Sequence, residues 1–435
     1  MTINKFQIAL LIIFGLLAVI GVAIFATGGI GGGGSEVEIS DVVIWGTMDE
    51  VLMRGLLEKI VRERRDFEHV TYVEKDPRTF DGEFVHALAR GGGPDLMLLS
   101  QDSILTHADK LIFVPYDRIS ERVFRDTYID EGELYLFADG ILGIPFTVDP
   151  LVMYWKRDML SGAAIASPPK FWDELFEMAP KVVVRDKANN ITKSFTALGE
   201  YQNVTNAKET LITLIMQSGN PIVSFGERGL DAVLSDNRGF ATSPAEAALR
   251  FYTEFSNPVK SVYSWNRALP SSRQSFIGGD LALYFGFASE LASLRRANPN
   301  LNFDVTVLPQ SRDSSVRTTF GRMSAFAIPR TSRDPVSALT VASVLSSAPV
   351  LSSLSQASLL PPVRRDVLAI KQTDAFLTVF YDSALMSRAW LDPAPAETGA
   401  VFQRMVENTV SGKLRLNEAV RNAHAELQGI LQKGQ

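Results

Sequence analysis

The four histidines of the chain form no recognisable catalytic or metal-binding pattern. His69, His86, His107 and His424 are scattered, and none has a second ligand at metal-binding spacing or a triad partner. Cysteine is absent, which excludes disulfides, thiolate metal sites and cysteine nucleophiles. No Gly-x-Ser-x-Gly nucleophile elbow occurs either. We therefore predict no catalytic residue, metal or cofactor, although two carboxylates held across a cleft, as in a glycosidase, cannot be paired from sequence.

Aromatic and short polar residues follow two predicted strands, where the ligand clefts of α/β proteins open. They are Trp45, Thr47 and Asp49 after the first strand, and Gln101 after the third. Packing between strands would also explain Trp45, and helix capping would explain the three polar residues. Trp265 lies in a polar loop without helical or strand period, so we expect its ring to be exposed to a ligand. Flat rings combined with short polar side chains and carboxylates are the residue types that bind sugars.

The composition is that of a folded protein with two domains. The chain has 435 residues, of which 46% are hydrophobic and 21% charged, and this length exceeds what one core usually serves. The formal net charge of −6 argues against nucleic acid as a partner, because nucleic-acid binding requires a basic surface.

The N-terminus predicts a membrane anchor. Residues 8–26 are apolar or glycine throughout, which is about 28 Å of helix and close to one hydrocarbon core. We expect residues 1–27 to be an uncleaved transmembrane signal-anchor and residues 28–38 a glycine-rich tether, with the body on the extracytoplasmic side of the cell membrane. A removed signal peptide is the alternative.

The body alternates between strand and helix patterns. Strands are predicted at residues 41–45, 70–73 and 95–99, with helical patterns between them, and this order indicates an α/β fold with a mostly parallel sheet. Ser243, Pro244 and Glu246 form a strong helix-start signal, and the pattern after Asp334 is almost entirely helical.

Several short sequence motifs, which occur in the same order as in the family, resemble those of the family 1 extracellular solute-binding proteins of ABC transporters, the maltose-binding-protein-like group. They are residues 143–149 with 151–160, 171–175, 276–286, 298–300 with 307–309, and 360–366. The chain departs from the family in two places: the usual lipid-attachment cysteine is missing, and Trp155-Lys156 replaces the common Tyr-Asn.

The resemblance implies a periplasmic-binding-protein-like fold with two α/β lobes, a hinge and a ligand cleft between the lobes. We expect the N-terminal lobe to comprise residues 39–146 with 285–328, and the C-terminal lobe 147–284 with 329–435. The chain would then cross between lobes near residues 144–148, 283–286 and 325–329.

The resemblance also implies further cleft residues. Glu200 and Tyr201 fall where relatives place a carboxylate and an aromatic, Asp149 and Phe287 follow crossings, and Trp390 matches a C-terminal aromatic. Asn203 and Arg364 complete this set, although a role in its own turn is favoured for Arg364.

The function implied is that of an extracytoplasmic binding protein of an ABC importer. It would capture a small solute, a sugar or oligosaccharide, by hinge closure and deliver it to a membrane permease without catalysing a reaction. Two alternatives stay open: a membrane-tethered ligand sensor, which would have a signalling partner in place of a permease, and a carbohydrate-active enzyme, which would hydrolyse its ligand.

Overall fold

The computed structural model describes residues 39–226, 229–314 and 316–433. The predicted signal-anchor and tether lie outside these residues. The strands are β1 (Val42–Gly46), β2 (Val70–Glu74), β3 (Leu96–Ser100), β4 (Leu111–Ile112), β5 (Leu136–Phe137), β6 (Gly140–Ile141), β7 (Ile144–Lys156), β8 (Val184–Arg185), β9 (Ile191–Thr196), β10 (Val223–Gly226), β11 (Gly229–Ala232), β12 (Leu281–Phe287), β13 (Phe303–Val307), β14 (Thr319–Pro329) and β15 (Ser387–Arg388).

The helices are α1 (Glu50–Glu63), α2 (Phe80–Ala89), α3 (Gln101–His107), α4 (Glu121–Thr127), α5 (Arg157–Gly162), α6 (Glu174–Val182), α7 (Ala207–Gln217), α8 (Pro244–Glu254), α9 (Ser272–Gly278), α10 (Glu290–Ala297), α11 (Pro335–Leu345), α12 (Ala348–Ser358), α13 (Arg365–Leu368), α14 (Ala375–Leu385), α15 (Pro395–Val410) and α16 (Leu416–Lys433). Short 3₁₀ helices occur at Arg65–His69, Ala108–Lys110 and Asp130–Tyr135.

The predicted α/β architecture is confirmed. Strand β1 pairs in parallel with both β2 and β3, and helices connect these strands, as the alternating pattern predicts. The main sheet has the order β2-β1-β3-β14-β7-β12-β9-β8, so β14 and β7 join its two halves. The carboxyl ends of β1 and β3 lie at the same edge of the sheet, which brings the segments that follow them to one side of the molecule.

Two long strands change partners along their length. In β7, residues 144–150 pair with β14, whereas residues 151–155 pair with β12. In β14, residues 319–320 pair with β15 before residues 321–326 pair with β7. The lobe boundaries and the crossings expected between the lobes remain predictions, and at the crossing expected near residues 283–286 strand β12 pairs with β7.

The interior contains two hydrophobic clusters. The first is built on β1, β3 and the first half of β7, and the second lies among α6, α7, α8, α15 and α16. The second half of β7 contributes to both, since Val152 and Tyr154 enter the first cluster while Leu151 and Met153 enter the second. Alternate side chains of a strand point to opposite faces, so this strand ties the two cores together.

Local signals predict the start of one helix correctly and the cap of another incorrectly. Helix α8 begins at Pro244 with Ser243 at the capping position, as predicted. Helix α1 is capped by Asp49, whose Oδ1 accepts a 2.8 Å hydrogen bond from the Leu52 amide, and the expectation that Thr47 caps it is therefore wrong.

In the described part of the chain no single helix is long and apolar enough to cross a membrane, and α11 with α12 reaches that length and composition only as a pair bent by 60°.

Candidate functional site

Five charged side chains from four elements meet at the junction of the two hydrophobic clusters. We call them the charged cluster: Asp102 in the first turn of α3, Lys208 and Glu209 in the first turn of α7, Arg322 on β14, and Asp392 just before α15. Burial raises the pKa of Asp102 to about 6, and the charges of the other four residues all act on it. Segments that are far apart in sequence therefore form one electrostatic unit.

Lys208 and Asp392 form a nearly buried ion pair within this cluster. The Lys208 Nζ donates to Asp392 Oδ2 at 2.6 Å, to Thr398 Oγ1 at 2.8 Å and to the Pro395 carbonyl at 3.2 Å. The exposed fraction is 15% for the Lys208 side chain and 3% for that of Asp392. The three protons of the ammonium group are thus all used inside the protein.

Arg322 is held by a carboxylate and an aromatic ring. Its guanidinium donates to Glu209 Oε1 at 2.6 Å, and its Cζ lies 3.7 Å from the centroid of the Phe287 ring. Gln101 fixes the strand on both sides of Arg322, because its Nε2 donates to the Gly321 carbonyl at 3.1 Å and its Oε1 accepts from the Met323 amide at 2.8 Å. The predicted residue Gln101 is therefore a positioning residue for Arg322.

Asp102 is the member of the cluster without a partner. Its carboxylate makes no hydrogen bond or ion pair with any described residue, and it remains partly exposed. A partly buried carboxylate in this state retains acceptor capacity for hydroxyl or ammonium donors brought by a ligand.

Glu131, on the 3₁₀ helix Asp130–Tyr135, lies behind Asp102. It is only 1% exposed, and neither carboxylate oxygen has a hydrogen-bond partner among the described residues. It packs directly against the backbone of Gly321, where a Cβ atom would overlap the carboxylate. Burial raises the pKa of Glu131 to about 8, and the Asp102 charge raises it while Arg388 lowers it.

Replacing Glu131 by glutamine is expected to stabilise the protein at alkaline pH. The unfolded carboxyl ionises near pH 4.3, whereas the folded group keeps its proton up to about pH 8, so this group makes the wild-type protein less stable as the pH rises between those values. We expect Glu131→Gln to unfold with a free energy at least about 1 kcal/mol higher than wild type at pH 8, and the gain to shrink at pH 5. Urea unfolding at several pH values measures this, with exposed Glu397→Gln as the control. A gain that does not depend on pH would contradict it.

Two other predicted residues lie beside the charged cluster. Tyr201 donates from its hydroxyl to the Gly399 carbonyl at 3.0 Å, and burial together with the charges of Glu209 and Asp392 raises its pKa. Asp149 lies opposite Arg322 in the β7–β14 register, and its Oδ1 accepts a 2.9 Å hydrogen bond from the Ser289 amide. Burial raises the pKa of Asp149 to about 6.

Three predicted ligand aromatics are buried. Trp265 is 1% exposed, Phe287 1% and Trp390 3%, so none presents a free face to a ligand in this conformation. The expectation that Trp265 is exposed is wrong, because its indole N–H donates to Asn203 Oδ1 at 3.1 Å and its ring packs in the first hydrophobic cluster. Phe287 lies beneath Arg322, and the Trp390 ring centroid is 5.8 Å from Lys208 Nζ, so both support the cations of the charged cluster.

The remaining predicted residues have local structural partners. Glu200 pairs with Arg267, Asn203 donates to two carbonyls of the loop that carries Trp265, and Arg364 pairs with Asp366 at 2.7 Å. At the end of β1, the Trp45 ring is covered by Lys75, Asp49 caps α1 and Thr47 is exposed. These contacts support the packing, capping and turn interpretations, and the ligand roles of these residues stay predictions.

Four residues of the charged cluster were missed from sequence: Lys208, Glu209, Arg322 and Asp392. Two features of the sequence could have indicated Lys208 and Arg322. Lys208 lies in the first turn of a helix, where the helix dipole disfavours a cation, and this points to a specific anionic partner. Arg322 is the single charge in an otherwise apolar strand. The described residues contain no group of three or more histidine, aspartate or glutamate side chains that could hold a metal.

A sequence-family model described as bacterial extracellular solute-binding protein matches residues 63–378. The chain belongs to this family. A search among curated protein sequences gives no significant match.

Solved structures of binding proteins share the fold over nearly the whole described chain. A cyclo/maltodextrin-binding protein complexed with maltotetraose superposes with a TM-score of 0.72 at 14% identity, covering 92% of this chain and 99% of that one. The sugar-binding protein MalE from Xanthomonas citri gives 0.70 at 18% identity, with 90% and 97% covered. The Thermus thermophilus maltotriose binding protein gives 0.63 at 14% identity, with 89% and 99% covered. At these identities the likeness establishes the periplasmic-binding-protein fold.

Proposed function

We propose that this protein is the extracytoplasmic binding component of an ABC importer, and that it captures a carbohydrate beside the charged cluster. Family membership and the fold support the first part. The carbohydrate assignment rests on one observation: the partly buried Asp102 carboxylate is unpartnered at the junction of the two cores, among the other charges of the cluster. Relatives of the same fold are described as bound to maltotetraose and maltotriose, which supports this ligand class.

In this proposal, closure about a hinge traps the ligand. Strand β7 leaves β14 for β12 near residues 150–151, and the pairing of β14 with β7 ends at Gly321, so these two places would absorb the bending. The charged cluster would span that boundary, since Asp102 follows β3, whereas Lys208 lies on α7 and Asp392 just before α15, two helices of the second core. An edge-to-face contact between Phe137 and Phe225, with ring centroids 6.3 Å apart, is a further link across it.

Residues 1–27 would anchor the body to the membrane, and residues 28–38 would let it reach a permease. The solute would then be handed over without chemical change. Incubation of the purified protein with oligosaccharides, followed by chromatography of the products, tests this last point. Release of shorter sugars would favour the enzyme alternative.

A thermal-shift panel of saccharides tests the binding function. A ligand that binds only the folded state stabilises it by about 2.7 kcal/mol at one hundred times its dissociation constant, which corresponds to about 3 °C for a chain of 435 residues. We expect at least one mono- or oligosaccharide to produce this shift. Shifts with peptides or polyamines and with no saccharide would contradict the carbohydrate assignment.

Asp102→Ala is expected to lower the affinity for the saccharide identified in the panel by about 10- to 100-fold, because a hydrogen bond to a charged group contributes about 1.5–3 kcal/mol. The folded state should be retained, since Asp102 makes no bond to the described part of the protein. Calorimetric titration measures the affinity, with Asp382→Ala as a matched control because Asp382 is an exposed aspartate on α14 that makes no side-chain bond within the described residues. Unchanged affinity in Asp102→Ala would remove Asp102 from the site.

A further inference from the structure

The charge balance of the cluster is uneven. Each of its two cations is matched by a carboxylate of the protein: Lys208 by Asp392 and Arg322 by Glu209. The ammonium protons of Lys208 are all taken, and the Arg322 guanidinium is stacked on Phe287. Each cation of the cluster therefore has a carboxylate partner of its own, and the Arg322 side chain is 45% exposed.

The surplus charge is negative and belongs to Asp102. The Asp102 carboxylate has no partner in the described structure. Glu131 lies behind it, is only 1% exposed, and also has no hydrogen-bond partner among the described residues. The titratable and charged groups that face Asp102 are Glu131, Tyr135, Lys208, Glu209, Arg322 and Asp392. Because the two cations are already neutralised, a positive group near Asp102 has to come from outside the cluster.

We infer that the saccharide bound beside the charged cluster carries a protonated amino group that pairs with Asp102, and that uronates and phosphorylated sugars are excluded. This inference rests on the proposed function and narrows its substrate class to amino sugars. An ammonium donor gives the carboxylate a charge-assisted hydrogen bond, which is about twice as strong as a neutral one. An anionic ligand would instead add a like charge to a cluster that already holds three carboxylates for two cations.

The test compares saccharides that differ only in the amino group. The full chain is titrated at pH 7 with matched sets: glucosamine and galactosamine oligomers, their N-acetylated forms, the corresponding neutral oligomers, and oligogalacturonate. We expect an amino form to bind about tenfold more tightly than its N-acetylated and neutral counterparts, and oligogalacturonate not to bind. The preference should fade as the pH falls from 7 to 5, because protonation removes the Asp102 charge.

Asp102→Asn tests the residue itself. The amide keeps the size of the side chain and loses its charge, so the ratio of affinities between amino and neutral forms should fall to about one. Asp382→Asn should leave this ratio at its wild-type value. Retention of the preference in Asp102→Asn would overturn the assignment to Asp102.

The outcomes separate this inference from the proposed function. Equal binding of amino and neutral saccharides, or tighter binding of oligogalacturonate, overturns the amino-sugar inference and leaves carbohydrate binding intact. If no saccharide of the matched sets or of the thermal-shift panel binds, both the amino-sugar inference and the proposed carbohydrate binding are overturned.

Discussion

Asp392→Asn is expected to destabilise the protein by about 3–5 kcal/mol, because it leaves the Lys208 ammonium buried without its counter-ion. The carboxylate also accepts from Thr398 Oγ1 at 2.7 Å and from the Ala394 amide at 3.1 Å, so it organises the start of α15 as well as the ion pair. Urea unfolding followed by circular dichroism measures the loss.

A second substitution separates the charge effect from the loss of hydrogen bonds. Adding Lys208→Met to Asp392→Asn removes the uncompensated cation, and we expect the double variant to recover part of the lost stability. The comparison pair is Arg404 and Glu426, whose side chains are 50% and 43% exposed. Glu426→Ala should cost less than about 1 kcal/mol. An Asp392→Asn loss as small as that would show that the Lys208 charge is solvated rather than held in the cluster.

The fold was predictable because its signals are local. The strands at residues 41–45, 70–73 and 95–99 are short apolar runs separated by helical periods, and each pairs in the parallel sheet as expected. The crossings between lobes were harder to place. The residues of a strand do not state which distant strand pairs with them, and in β7 that partner changes from β14 to β12 after Pro150.

The site was predictable only in part, because its charged residues depend on distant partners. The rule that ligands meet the carboxyl ends of strands pointed to the segment after β3, which contains Asp102 of the charged cluster. By contrast, Lys208 and Asp392 are 184 positions apart, and the sequence does not identify either as the partner of the other. Only the folded chain brings them within 2.6 Å.

The burial of Trp265 has a similar explanation. Polar groups of the loop around Trp265 form hydrogen bonds within the protein. Ser264 Oγ accepts from the Phe195 and Thr196 amides, and Asn203 Nδ2 donates to the Asn266 and Leu269 carbonyls. With its polar groups bonded in this way, an irregular segment can lie against the core and bury a tryptophan at little cost.

Trp265→Ala is therefore expected to destabilise the protein by about 3–5 kcal/mol, since it removes a large ring that is 1% exposed and breaks the bond to Asn203. Trp265→Phe keeps most of the ring volume and should cost about 1–2 kcal/mol, mainly through the lost indole N–H donor. Trp45→Ala is the internal comparison. Its ring is only partly buried and is covered by Lys75, so we expect a loss of about 1–2 kcal/mol.

Ligand binding distinguishes this structural role from direct contact. If Trp265 supports the loop and does not touch the ligand, Trp265→Phe should retain the saccharide thermal shift although its unfolding temperature is lower. A Trp265→Ala variant that unfolds like wild type but no longer responds to saccharide would contradict the burial argument, because it would mean that the ring turns outward to contact the ligand. The two substitutions together thus decide whether this tryptophan belongs to the core or to the cleft.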